Sequence, residues 1–202
     1  MSDLGLIPFR EMNSAILGQA HCFDGWREAV RPFFDVEPLE GAAIGNEWAK
    51  AWLIDSLVFT ETGFSRQSHS HHLLHAKNSN YLFLQVYRSG GQRGIHADIP
   101  FKMMPGEIHI RDFSREYHSV AEDAAIISLI IPHSAVGYDP GRHPVHIKFA
   151  RDSAAGGFLR GALFALGDQL PTLRQKEASI VADGFYGLVR GLLNPQLGRP
   201  EE

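Results

Sequence analysis

Tyr81-Leu82-Phe83-Leu84-Gln85-Val86-Tyr87-Arg88-Ser89-Gly90-Gly91 reads as one β-strand running into a tight turn. Successive side chains of an extended chain point to opposite faces. Leu82, Leu84 and Val86 therefore share one face, and Tyr81, Phe83, Gln85 and Tyr87 share the other. The first set is plain core. The second is aromatic and amphipathic, the texture either of a ligand cavity or of a second packed face with a few polar tips. Ser89-Gly90-Gly91 supplies the positive φ angles that a hairpin turn needs.

The same texture repeats on either side of this strand. Apolar or alternating runs at 51–60, 94–98, 107–112 and 124–131 are separated by Gly, Pro, Asn and Asp, and Pro105-Gly106 punctuates the chain between two of them. From about residue 39 to 132 this rhythm predicts a compact all-β unit, a sandwich or barrel. Upstream, Asp24 is expected to cap a short helix through Trp26, Ala29 and Val30, limited by Pro32.

After Pro144 the period becomes helical. Phe158, Leu159, Ala162, Leu163, Leu166 and Leu170 recur at helical spacing until Pro171 stops the run. Thr172-Leu173-Arg174-Gln175 reads as a capping box opening a second helix, which carries Ile180, Val181, Phe185, Leu188, Val189 and Leu192. So short a link predicts an antiparallel helical hairpin. Its apolar faces are too wide for the hairpin alone, so the excess packs on the β unit or on a second copy of the chain. The expectation is a homodimer through Leu159, Leu163, Leu166, Phe185, Leu188 and Leu192.

Composition narrows the function. The 202 residues, 44% hydrophobic and 21% charged, suit an ordinary folded chain with a sizeable core. A formal charge of −4 without a dense Lys/Arg block argues against direct contact with DNA. Cys22 is the only cysteine, so no internal disulfide forms, which suits a reducing cytoplasm. The first twelve residues do not read as a signal peptide, and no run is apolar enough to span a bilayer. There is no Gly-rich phosphate loop, no Cys-based zinc motif and no nucleophile-turn triad.

Several segments together resemble the AraC family of bacterial transcription regulators, in the branch with a cupin-like N-terminal domain. Phe23-Asp24-Gly25-Trp26-Arg27-Glu28-Ala29-Val30 looks like that branch's opening helix, and 81–91 like its central strand and glycine turn. Met104-Pro105-Gly106-Glu107-Ile108-His109-Ile110-Arg111-Asp112 is similar to its Pro-Gly-acidic turn and strand. Ile130-Ile131-Pro132-His133 resembles a strand ending in Pro and a polar residue, and 158–193 the dimerisation helices. The resemblance implies a mostly β fold with α: a cupin-like β-barrel of the double-stranded β-helix type, followed by the antiparallel hairpin. It divides the chain into an effector-binding barrel (1–149), a dimerisation hairpin (150–194) and a linker-like tail (195–202). It implies a small-molecule effector held by Trp52, His71, Tyr81, Phe83, Gln85 and His109, and DNA reached only through a separate helix-turn-helix module. That module would begin where this sequence stops, so the chain is either a piece of a regulator or a short relative able to pair with a full-length one.

One stretch departs from the family. Arg66-Gln67-Ser68-His69-Ser70-His71-His72-Leu73-Leu74-His75 stands where a basic segment is usual. His69 and His71 sit two apart, which on a strand puts both imidazoles on one face. With His75 and His109 they are similar to the motifs of metal-binding cupins, without the carboxylate. The alternative reading is therefore a metal-dependent cupin enzyme, a dioxygenase or isomerase, holding one Zn, Fe, Ni or Cu ion on His69, His71, His75 and His109. The competing reading gives no cofactor and leaves these residues as a polar strand end and barrel lining.

Overall fold

The computed structural model describes residues 5–71 and 79–193. His75 and the tail 195–202 lie outside them. In chain order the elements are β1 (Phe9–Met12), α1 (Ser14–Leu17), α2 (Gln19–Val30), β2 (Asp35–Pro38), β3 (Trp48–Ile54), β4 (Leu57–Phe64), β5 (Gln67–His71) and β6 (Tyr81–Ser89). Then follow β7 (Gln92–His96), β8 (Ile99–Met103), β9 (Ile108–Asp112), β10 (Tyr117–Ala121), β11 (Ala124–Pro132) and α3 (His133–Val136). The chain continues through β12 (His146–Phe149), α4 (Ala154–Gln169), a 3-10 turn (Leu170–Thr172) and α5 (Gln175–Leu192).

The described strands form two sheets, one ordered β1-β3-β4-β11-β6-β9-β12 and the other β2-β5-β10-β7-β8. Every pairing is antiparallel. The architecture is a cupin-type β-sandwich followed by helices. Alternation along β6 splits its side chains as the sequence suggests. Leu82, Leu84 and Val86 join Ile127, Leu129 and Ile131 of β11 in the core under α4 and α5. Phe83, Gln85 and Tyr87 face the space between the sheets. The turn after β6 needs its glycine: Gly90 has φ +74°, and a Cβ there would come to 2.3 Å from the Asp123 carbonyl oxygen.

Four local expectations are corrected. Asp24 lies inside α2 rather than capping it, because the helix already begins at Gln19; the capping side chain is Asn13, whose Oδ1 accepts from the Ile16 N–H (3.0 Å) at the start of α1. The run 51–60 is a hairpin rather than one strand, folded back at Asp55, which takes a positive φ of 57°. Thr172 does not open the second long helix, since Pro171 seeds a 3-10 turn there. The reciprocal half of the cap comes from Glu177, whose Oε2 accepts from the Arg174 N–H (3.1 Å).

The fourth correction concerns the helices. Leu159, Leu163 and Leu166 are not on a free dimer face; they are buried against the outer face of the larger sheet. Phe185, Leu188 and Leu192 are half-buried against the same core. The sheet's Ile and Leu rows supply the apolar surface that the hairpin lacks on its own. α4 is anchored to the sheet near both of its ends. At one end Arg160 Nη1 donates to the Gly106 carbonyl (2.8 Å), and at the other Gly167 lies against Phe59, where a Cβ would reach its ring at 3.2 Å. α5 packs on β3 and α3.

Candidate functional site

A cavity of about 390 Å³ lies between the sheets, beneath α2 and the Phe33-Phe34 pair that follows it. Strand register lays its floor in rows. Phe83 pairs with Ile130, which pairs with Val58; Gln85 pairs with Ser128 and Ser128 with Thr60; Tyr87 pairs with Ile126 and Ile126 with Thr62. All nine side chains line the cavity. The middle row is polar and the rows beside it are largely apolar, so a ligand meets hydrogen-bonding groups along one line of the floor. Arg10, Glu11 and Lys50 stand at the more exposed rim.

α2 is tied to β5 of the smaller sheet by a directional relay. Trp26 Nε1 has only an N–H to give and donates to Gln67 Oε1 (3.0 Å). That fixes the amide, so Gln67 Nε2 donates to His69 Nε2 (3.0 Å). His69 is then the Nδ1–H tautomer, and its Nδ1 meets no acceptor. Burial, and then the Arg111 charge, pull its pKa down to about 3, so the ring is neutral.

Next to this, Gln92 Nε2 donates to the Tyr117 hydroxyl and to Ser119 Oγ (2.8 Å), while Gln92 Oε1 has no partner among the described residues. Arg111 on β9 is buried and donates from Nη2 to Gln85 Oε1. Its guanidinium lies 4.6 Å from the Tyr117 ring centroid and 4.9 Å from that of Phe101. Farther along the interior, His109 Nδ1 and His146 Nε2 are 2.8 Å apart. Burial first, and Arg111 second, lower His96 to about 4 and His109 and His146 to about 3.

The whole architecture recurs in an AraC-like transcriptional activator. The crystal structure of that activator, CuxR, superposes with a TM-score of 0.82 over 96% of this chain and 72% of its own, at 17% identity. At that identity the likeness establishes the fold. ToxT from Vibrio cholerae matches at TM-score 0.44 and 11% identity, over 72% of this chain and 60% of its own. KdgF from Halomonas sp. matches at 0.34 and 16%, over 48% and 86%. No protein-family model and no curated protein matches the sequence.

Of the six residues expected to hold an effector, Phe83 and Gln85 line the cavity and the other four do not. Trp52 is on the opposite face of β3, packed on Phe59 (6.1 Å between centroids) and Phe9 (4.9 Å). Tyr81 begins β6 and is exposed. The His71 ring is clamped between backbone carbonyls, with Nδ1 2.6 Å from Phe33 O and Nε2 2.9 Å from Phe113 O. His109 points toward β12 and His146.

Of the proposed metal set, His75 lies outside the described residues, and the other three are engaged with other partners. β5 does put His69 and His71 on one face, but Gln67 occupies Nε2 of the first and carbonyls face both nitrogens of the second. His109 Nδ1 is engaged by His146. Among the described residues no group of three or more His, Cys, Asp or Glu is arranged to hold a metal ion. Sequence reasoning missed Trp26, Phe33, Phe34, Gln92 and Tyr117 as lining. The one available signal was the aromatic pair after Pro32, which reads equally as core.

Proposed function

We propose that this chain is the small-molecule sensing part of an AraC-type transcription regulator, controlling transcription when joined to a DNA-binding module. The observation that carries the reading is the division of β6. Phe83, Gln85 and Tyr87 face the cavity, while Leu82, Leu84 and Val86 between them hold the α4–α5 helices. A ligand that spreads or draws together the cavity floor must shift the surface on which the helices rest, because packed cores deform little before they rearrange. Effector binding then favours one placement of the helices over another by its differential affinity for the two. The fold shared with an AraC-like activator supports the same assignment.

In this reading residues 1–149 bind the effector and 150–194 carry the contact between two copies of the chain. Leu159, Leu163 and Leu166 serve that contact only by fixing the helices. The side chains left for it are those the sheet does not cover, such as Phe158 (65% exposed) and Ile180 (74%). Such a protein works in the cytoplasm, and no described helix is long and apolar enough to cross a membrane.

The test is a thermal-shift screen of small metabolites, followed by hydrogen exchange with each ligand found. A ligand whose binding is weakened by Phe83→Ala should change amide protection in α4 and α5 as well as around the cavity. Protection confined to the cavity, with both helices unchanged, would refute the sensor reading and leave a plain binding protein.

A further inference from the structure

Arg111 is 1% exposed, and its Nε and Nη1 meet no hydrogen-bond acceptor among the described residues. No carboxylate forms an ion pair with it among the described residues. Its neighbours are Gln85 Oε1, one neutral oxygen, and the rings of Tyr117, Phe101 and Phe113, at 4.6, 4.9 and 5.7 Å from the guanidinium carbon. Ring faces attract a cation but do not replace strong acceptors. A guanidinium stays charged in a protein, so this one is a buried positive charge without its counter-charge. The histidines around it offer no compensation; His69, His96, His109 and His146 are all held neutral, Arg111 itself contributing to that.

Two residues that touch Arg111, Gln85 and Tyr117, also line the cavity, so the charge lies just behind the cavity wall. His69, also in the lining, presents an Nδ1–H with no acceptor among the described residues. Elsewhere the lining is mainly apolar, with Val30, Phe34, Phe64 and Ile130 among it. A cation without a paired anion among the described residues thus lies behind the lining, and a donor without an acceptor stands in the lining, of a largely apolar chamber.

We propose that the cavity takes a carboxylic acid with an apolar body, whose carboxylate displaces Gln85 Oε1 from Arg111 and accepts a second hydrogen bond from His69 Nδ1–H. This rests on the reading of the cavity as the effector site. A carboxylate pairs with a guanidinium through two parallel hydrogen bonds where an amide oxygen makes one. Gln85 fills the anion's place until the ligand arrives and retains Ser128 as a partner afterwards. The aromatic side chains and α2 accommodate the body of the acid.

The test uses the full chain and four probes: decanoate and cinnamate, with their neutral amides decanamide and cinnamamide. Calorimetry should show each acid binding about 10- to 100-fold more tightly than its amide, the range expected for hydrogen bonds to a charged group. Arg111→Gln should abolish that preference. The acid–amide comparison on the unmodified chain needs no variant, and decides the matter even if Arg111→Gln does not fold. Equal binding of acid and amide overturns the proposal while the effector cavity stands. If none of the four binds, the proposal is again overturned, and the neutral dye Nile red then separates the two ideas. Fluorescence from dye that Phe83→Ala weakens leaves the cavity reading intact, whereas no dye binding removes both.

Discussion

Gln85 and Ser128 stand opposite each other in the β6–β11 ladder, and Gln85 Nε2 donates to Ser128 Oγ at 3.0 Å. The other end of the same amide accepts from Arg111. One neutral side chain thus links the polar row of the cavity floor to a buried cation. Gln85→Leu strips Arg111 of the one hydrogen-bond acceptor it has among the described residues and should cost about 2–3 kcal/mol of stability. Ser128→Ala removes a neutral contact and should cost about 1 kcal/mol. Urea unfolding of the two variants checks the order. A Gln85→Leu chain no less stable than Ser128→Ala would mean that the bond to Arg111 contributes nothing.

Acid should unfold this protein earlier than its carboxylates alone would. His69, His109 and His146 have pKa values of about 3 and His96 of about 4, all below the ordinary 6.5. As the pH falls below 6.5 the unfolded chain takes up protons that the folded chain refuses. The stability is fully present above that value and is lost on the way down toward the folded pKa values. Each histidine steepens the fall by up to about 1.4 kcal/mol per pH unit. Asp112 acts lower. Burial raises its pKa, but hydrogen bonds from His133 and Ser114 outweigh this and leave it below the usual 3.8, so its share persists until the pH drops beneath that range. Urea midpoints followed from about pH 7 to about pH 5 isolate the histidines. His146→Gln should make the slope shallower; an unchanged slope would show that His146 is protonated in the folded chain.

The alternation of β6 was legible because strand period and burial agree there: the face named as core is core, and Phe83, Gln85 and Tyr87 do face a cavity. What could not be read was anything set by segments far apart in the chain. His69-x-His71 does present two imidazoles on one face. Their partners, however, come from the relay through Gln67 and from the carbonyls of Phe33 and Phe113, 38 and 42 residues away from His71. Arg111 sits in a strand read for its Pro-Gly turn and for His109, and no sequence pattern marks a cation that ends without a counter-ion. The helix periodicity was sound, but periodicity tells which stripe is buried and not whether sheet or second copy buries it.

Metal should make no difference to this fold. Of the three described histidines of the set, His69 Nε2 is held by Gln67, both His71 nitrogens face backbone carbonyls and His109 Nδ1 faces His146, which leaves two nitrogens, His69 Nδ1 and His109 Nε2, without a hydrogen-bond partner among the described residues. Recruiting a third nitrogen from these residues would break one of those bonds. The melting temperature of tag-free protein should be the same after chelator treatment and after addition of Zn, Ni or Fe. A stoichiometric metal whose removal lowers the melting temperature would favour the cupin-enzyme reading and make His69, His71, His75 and His109 the first residues to replace.

The helices offer a separation of stability from assembly. Leu163 is 0% exposed in the core between α4 and the sheet, so Leu163→Ala removes buried methyl groups from a packed site and should cost about 2–5 kcal/mol. Ile180, 74% exposed on α5, touches little within the chain, and Ile180→Asp should change the stability of one copy by no more than about 0.5 kcal/mol. If two copies meet through the uncovered side of the helices, that same change places a charge in an apolar contact and should shift the chain from dimer to monomer. Sedimentation velocity at high micromolar concentration reads the assembly, and urea unfolding reads the stability of the fold. A dimer untouched by Ile180→Asp moves the interface away from α5. A wild-type chain already monomeric at that concentration removes the homodimer from the proposed mechanism, and the ligand's effect on the helices would then have to reach the DNA-binding module within a single chain.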